Sequence, residues 1–477
     1  MTESSPTPQQ GPPPVVVDDE GRQLTLSTVE MRRILASSFI GSAIEFYDFL
    51  LYATASSIVF ASLYFTGFGS GSLAVFASFA TLAAGYLARP LGGVIFGHFG
   101  DRLGRKKTLV LSMIIMGSVT VIVGLMPPAS MIGIIAPISL LVLRVIQGIA
   151  VGGEWGGAAL MALEHAPKAK RGFAASFANA GGPAGAVLAT VVMSVMTVLT
   201  GDQFVVWGWR IPFLLSAVLI VVGLVIRLKV SESPVFQTLE EEHDRRRIPI
   251  FDVLCNHLKP VLIGLAVAVA CYTTQSLVTV WGVSMAVDAG EDKTWVLNWK
   301  AGGSLIMILT CFVSARLSDR IGRARMIFIA CLVVAASAFP ITFLIGSGRI
   351  EMFSVAILFG QGIVQGLIYG PISAYVAELF PASVRYTGAS VAYQGAAALG
   401  AGITPMLASA LMLLPFGGLW WVGTIWGAGC SVRCPGRRAS SNRDRSREQS
   451  PGTLSAIGID HYRLRRSFCE ATRPGSE

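Results

Sequence analysis

Charge is scarce in this chain. Asp, Glu, Lys and Arg make up 14% of its 477 residues, against about 25% in an ordinary soluble domain, and the mean hydropathy is +0.63. A soluble globular protein is thereby excluded. No phosphate-binding loop with a Gly-Lys-Ser/Thr ending occurs, which argues against transport driven by ATP on this chain. No CxxC and no metal-ligand spacing is present. The seven Cys are scattered, mostly in apolar runs such as those around Cys271, Cys311 and Cys331, where a thiol packs as a small hydrophobe. The N-terminus lacks the apolar core of a signal peptide. Residues 1–30, rich in Pro, Ser, Gln and acidic groups, read as a disordered tail. No cofactor, metal or catalytic chemistry is expected.

What fills the chain instead is apolar helix. A bilayer core about 30 Å thick needs roughly 20 apolar residues per crossing. Six such segments fall near 34–64, 73–99, 108–126, 131–163, 172–200 and 208–228. Five more fall near 260–287, 295–316, 326–345, 350–377 and 386–412, and a twelfth starts at Gly418. The expected organisation is two six-helix halves, 31–230 and 260–429, joined by a polar linker at 231–259 that carries the mixed-charge run Glu240 to Arg247.

Lys and Arg are placed asymmetrically between the segments. Arg102, Arg105, Lys106 and Lys107 follow the second, Lys168, Lys170 and Arg171 the fourth, Arg245 to Arg247 the sixth, and Arg320, Arg323 and Arg325 the eighth. The loops at 65–72, 127–130 and 201–207 contain neither residue. By the positive-inside rule the basic loops are cytoplasmic, and so is the N-terminus of a multi-pass protein of the plasma or inner membrane. The net charge of +9 is then largely topogenic. It implies the lipid bilayer as partner and no nucleic acid.

The two halves repeat each other. Gly100-Asp101-Arg102-Leu103-Gly104-Arg105-Lys106-Lys107 returns as Ser318-Asp319-Arg320-Ile321-Gly322-Arg323-Ala324-Arg325, about 218 residues on. Gln147-Gly148 matches Gln361-Gly362, Glu164 matches Glu378 and Arg171 matches Arg385, all at about 214 residues. Parallel repeats of a transporter leave this kind of weak internal symmetry.

These motifs carry a resemblance. Gly97-His98-Phe99-Gly100-Asp101-Arg102-Leu103-Gly104-Arg105-Lys106 is similar to the loop signature of the major facilitator superfamily. Within it, Gly41-Ser42-Ala43-Ile44-Glu45-Phe46-Tyr47-Asp48-Phe49, Arg144-Val145-Ile146-Gln147-Gly148 and Gly152-Gly153-Glu154-Trp155-Gly156-Gly157 resemble the metabolite:H+ symporter family. Trp209-Arg210-Ile211-Pro212-Phe213 and Glu232-Ser233-Pro234-Val235-Phe236 do so as well. The similarity covers residues 30 to 425. It implies a proton-driven symporter of small organic acids or zwitterionic osmolytes, working by alternating access. Within transport the alternative is another substrate, such as a sugar or a drug. Outside transport it is a membrane sensor that moves nothing.

The residues themselves nominate a site. Gly41, Glu45, Asp48 and Tyr52 fall at helical spacings on one face of the first span, where carboxylates are costly unless they face protein or water. Glu45 and Asp48, with Glu154, are the proton-coupling candidates. Arg144 and Glu154 map onto the uncharged Leu358 and Ile368 in the second half, and chemistry on one substrate need occur only once. Arg144 is the candidate carboxylate binder, unless it is locked permanently to Glu154 or Asp48. Gln147, Tyr52, Asn179, Tyr272, Gln275, Tyr369 and Gln394 are further substrate-binding candidates near the midplane. Arg89, before Pro90, is expected to snorkel.

The repeated charges read as gates. Asp101, Arg102 and Arg105, with Asp319, Arg320 and Arg323, are placed to tie helix ends together, while Gly97, Gly100 and Gly104 allow close approach and a tight turn. Glu164 with Arg171, and Glu378 with Arg385, are the expected matching ties. The last span breaks the pattern, reaching Arg433, Arg437 and Arg438 after far fewer than about 20 apolar residues. Residues 430–477 form a basic, irregular tail whose composition suggests a shifted reading frame.

Overall fold

The computed structural model describes residues 15–17, 23–25, 28–65, 67, 71–233, 249–412 and 418–431. The run Glu240 to Arg247 and the tail beyond residue 431, with the proposed frame shift, lie outside the described residues. In the N-terminal segment expected to lack order, Val15–Val17 pairs antiparallel with Gln23–Thr25, the β-branched valines favouring extended backbone.

Apolar surroundings leave a backbone no partner but itself, so the long apolar runs become helices. The first span is Thr28–Ala55, continued by a π-helical stretch, Ser56–Phe60, into Ala61–Tyr64. The second to sixth are Gly71–Leu103, Arg105–Leu125, Ile135–His165, Arg171–Thr200 and Arg210–Leu228. A short helix, Pro249–Asn256, leads into the seventh, Leu258–Ser276, which passes through π-helical Leu277–Trp281 to Gly282–Asp288. The eighth and ninth are Lys293–Ile321 and Arg323–Gly346. The tenth joins Ile350–Ile357, π-helical Leu358–Gln365 and Gly366–Glu378. The eleventh joins Arg385–Ala397, π-helical Ala398–Ile403 and Thr404–Met412. The twelfth is described over Gly418–Ser431, 14 residues, or roughly 21 Å at 1.5 Å per residue. Among the described residues nine helices are long and apolar enough to cross a membrane.

The packing repeats as the sequence does. The second span packs on the fourth as the eighth does on the tenth, the first on the fifth as the seventh on the eleventh, and the third on the sixth as the ninth on the twelfth. The halves meet where the second span crosses the eleventh and the fifth crosses the eighth. Small residues permit the tightest crossing: a Cβ on Gly148 would collide with the carbonyl of Gly85, and one on Gly92 with that of Ile149. Outward faces remain apolar, with Leu87, Val191, Val221, Leu309 and Val313 exposed, as lipid requires. Cys271, Cys311 and Cys331 are buried, in keeping with packing.

The repeated loop phrase turns on glycine. Gly104 has φ +107° and Gly322 φ +96°, a region that L-residues with a side chain avoid. Each ends one span and lets the next begin at the following Arg.

Candidate functional site

The first span brings its polar face to the centre of its own half. Asp48 is fully buried and accepts hydrogen bonds from Ser216 Oγ at 2.6 Å and Thr120 Oγ1 at 3.0 Å. Arg144, 1% exposed, donates from Nη1 to Gln147 Oε1 at 2.5 Å, and Gln147 Nε2 donates to Thr120 Oγ1 at 2.9 Å. A polar relay therefore runs from Arg144 through Gln147 and Thr120 to Asp48. The Arg144 guanidinium carbon stands 4.3 Å from the centre of the Phe49 ring and 4.2 Å from that of Tyr52, while the Tyr52 hydroxyl meets Thr81 Oγ1 at 2.7 Å. Glu45 is buried and its Oε2 has no hydrogen-bond partner.

One alternative, the locked Arg144, and one expectation, for Arg89, fall here. Arg144 is ion-paired with neither Glu154 nor Asp48. Ten residues separate Arg144 from Glu154 along one helix, about 15 Å of axial rise, too far for an ion pair. Glu154 instead holds Arg227, from the last turn of the sixth span, in a buried two-point ion pair, with Ser112 Oγ also donating to it at 2.9 Å. Gly41 makes the space, since a Cβ there would strike the Arg227 guanidinium. Arg227 escaped notice in the sequence because it ends an apolar run beside Lys229, where a charge reads as a flank. Arg89 does not snorkel. It is 4% exposed, with its guanidinium carbon 4.5 Å from the Phe49 ring centre and 4.6 Å from that of Tyr86.

The candidates of the second half gather at the seam between halves. Trp155 stacks on Tyr393 at 3.3 Å with the rings 2° from parallel, and Tyr272 lies 5.1 Å from Tyr393. Asn179 accepts from Trp155 Nε1 at 2.9 Å and donates to the Tyr369 carbonyl at 2.5 Å and Ser373 Oγ at 3.2 Å. Its polar atoms are thus spent on joining the fifth span to the tenth. Gln394 Nε2 donates to the carbonyl of Gly152 at 3.2 Å, and its Oε1 is buried without a partner. Gln275 is half-buried, and its backbone carbonyl accepts from Thr279.

The basic end is closed by ties that cross between halves. Asp101 accepts from the backbone N–H of Tyr386 at 3.3 Å and of Thr387 at 2.9 Å, and from Thr387 Oγ1 at 2.8 Å. It thereby caps the eleventh span. Asp319 does the same for the fifth, accepting from the N–H of Gly172 at 2.8 Å and of Phe173 at 2.9 Å. Anions are favoured at helix N-termini by the exposed amides and the dipole. Gly97 and Gly100 let the second span reach the eleventh, because a Cβ on either would meet Thr387 or the Tyr386 ring.

The remaining ties differ from the expected pairing. Glu164 faces Arg105 at 3.4 Å and, across the seam, Arg385 at 3.6 Å. Glu378 pairs with Arg323 at 2.9 Å, which also reaches Asp319 at 3.3 Å, and both Arg171 and Arg385 act on Glu378 electrostatically. Each loop Arg turns back toward its own half's carboxylate, so Glu164 with Arg171 and Glu378 with Arg385 are not the principal pairs. Arg105 is further held by Asp101 at 3.5 Å and the carbonyl of Ala382 at 3.4 Å. Arg102 and Arg320, the remaining gate candidates, are exposed, with Arg102 3.4 Å from His98. Sequence reasoning named Glu232 within a resembling motif and gave it no role; it accepts from the N–H of Arg105 at 3.0 Å and of Lys106 at 3.2 Å and so caps the third span. Its sequence signal was a carboxylate beside Ser233 and Pro234 just after a basic helix end.

Known proteins resemble this chain in sequence and in fold. The model of the Major Facilitator Superfamily matches residues 38–385 and 301–468. The inner membrane metabolite transport protein YhjE of Escherichia coli is 39% identical over 83% of this chain and 89% of its own. The shikimate transporter of the same organism is 39% identical over 87% and 94%, and the proline/betaine transporter of Salmonella typhimurium 31% over 83% and 79%. The proton:xylose symporter XylE, solved with 6-bromo-6-deoxy-D-glucose bound, superposes with a TM-score of 0.70 over 84% of this chain and 95% of its own, at 17% identity. The paired halves, the loop phrase and these relatives agree: the chain belongs to the major facilitator superfamily, among its metabolite transporters.

Proposed function

We propose that the protein is a proton-coupled symporter of a small organic acid or zwitterionic metabolite, working by alternating access, with the basic end and the N-terminus on the cytoplasmic side. The observation that carries this is the one-sided burial of charge. Glu45, Asp48, Arg144 and the Glu154–Arg227 pair all sit inside the first half, while Leu358 and Ile368 stand at the positions matching Arg144 and Glu154. Residues that only build a repeat recur in both halves. Buried ionisable groups at membrane depth that do not recur at the matching positions of the other half suit coupling chemistry. The shikimate and proline/betaine transporters among the relatives support the substrate class, and the closed basic end supports one of the two access states.

The test is uptake into proteoliposomes under an imposed inward proton gradient, with a panel of carboxylates, betaines and amino acids. Accumulation of at least one compound that collapses with protonophore is expected. Flux indifferent to the gradient defeats symport, and no flux for any compound favours the sensor alternative.

A further inference from the structure

Arg89 is an outlier among the buried charges. Arg105, Arg227 and Arg385 each meet a carboxylate. Arg89 meets rings only. Among the described residues nothing accepts a hydrogen bond from it, and its Nε is buried without a partner. Arg144 has the same defect at two atoms, Nε and Nη2. Both guanidiniums stand over the Phe49 ring, at 4.5 and 4.3 Å from its centre, so no more than the sum of those distances separates them.

The carboxylates nearby act on these charges from a distance and, among the described residues, form no ion pair with either. Asp48 is held by two hydroxyl donors. Arg89 is the charge that acts most strongly on Glu45, yet no ion pair joins Glu45 to Arg89 or Arg144 among the described residues, and Glu45 Oε2 has no partner. A guanidinium inside a membrane protein is costly unless something balances it, and two of them over one ring repel. Ring contacts return only part of that cost. Planar forks with open N–H groups match the two oxygens of a carboxylate.

We propose that Arg89 and Arg144 form a two-point anion clamp, and that the substrate is an organic carboxylate bearing no cationic group, held between them. This deepens, and rests on, the transporter assignment above. A zwitterion would bring its ammonium against two guanidiniums, with Glu45 and an Asp48 already held by two hydroxyls as the anions in reach. The facing half offers neutral polar groups instead: Tyr272, which lies within the field of Arg89, and the unpartnered Oε1 of Gln394. These suit substrate hydroxyls.

Purified protein in detergent is titrated with shikimate, succinate, glycine betaine and L-proline, and binding is read from the thermal midpoint. The same titrations are run on Arg89→Gln and Arg89→Lys. Shikimate or succinate raises the wild-type midpoint, and betaine and proline leave it unchanged. Arg89→Gln weakens carboxylate binding roughly 10-fold or more, and Arg89→Lys restores only part, since a point charge lacks the planar fork. Without ligand, Arg89→Gln unfolds at or above the wild-type midpoint, because an unbalanced buried charge has been removed. Undiminished carboxylate binding in Arg89→Gln, stabilisation by betaine or proline, or no response to any of the four probes overturns the clamp. Carboxylate binding in a protein that fails the uptake assay leaves the clamp standing and defeats the transporter assignment. Gradient-driven uptake of betaine does the reverse.

Discussion

At the scale of the residue, the Glu154–Arg227 pair shows how burial sets the energetics. Both side chains are almost wholly enclosed, so removing one leaves the other charged in a poor solvent. Arg227→Leu is expected to cost about 3–5 kcal/mol, whereas the double variant Glu154→Leu/Arg227→Leu recovers most of it. Thermal unfolding of the three proteins in one detergent measures the difference, and a double variant no better than the single would contradict it. The candidate carboxylates were legible from spacing on the first span, because a helix face is a matter of counting. Their partners were not. Which Arg meets Glu154 depends on how the sixth span lies against the third and the third against the fourth, and no local pattern encodes those crossings. Arg89 was misjudged for a related reason: a charge beside Pro90 gives no sign of whether rings or lipid lie opposite.

At the scale of the element, the loop phrase was the most legible part of the chain, and its glycines explain why. A tight reversal between two long helices demands positive φ, and only Gly supplies it cheaply. Gly104→Ala and Gly322→Ala are each expected to destabilise by about 1–3 kcal/mol. Gly402, inside Ala398–Ile403, has open space where a Cβ would go and no positive φ, so Gly402→Ala is expected to be neutral or mildly stabilising. Midpoints that fail to separate the two loop variants from Gly402→Ala would remove strain as the explanation. The π-helical stretches in the first, seventh, tenth and eleventh spans could not be foreseen. Hydropathy is blind to one extra residue in a turn.

At the scale of the whole molecule, the two halves hold each other shut by the same device used twice. Asp101 from one half caps the eleventh span, and Asp319 from the other caps the fifth. Asp101→Asn and Asp319→Asn should each loosen the basic end, since an amide caps without the charge that the helix dipole favours. The check is the labelling rate of single Cys probes placed on the second and eleventh spans. Faster labelling in both variants is expected, and unchanged rates in either would show that its carboxylate is only a local cap. The six-plus-six plan was visible in sequence because bilayer thickness dictates helix length. The seam was not, because Asp101 and Tyr386 are far apart along the chain and their meeting is a product of the folded halves. One consequence concerns water. When the seam parts, each Asp leaves two backbone amides with nothing to bind, and a dry separation would strand all four. On the proposed alternating access, the basic end can open only as fast as solvent follows it in, which makes wetting a part of that step.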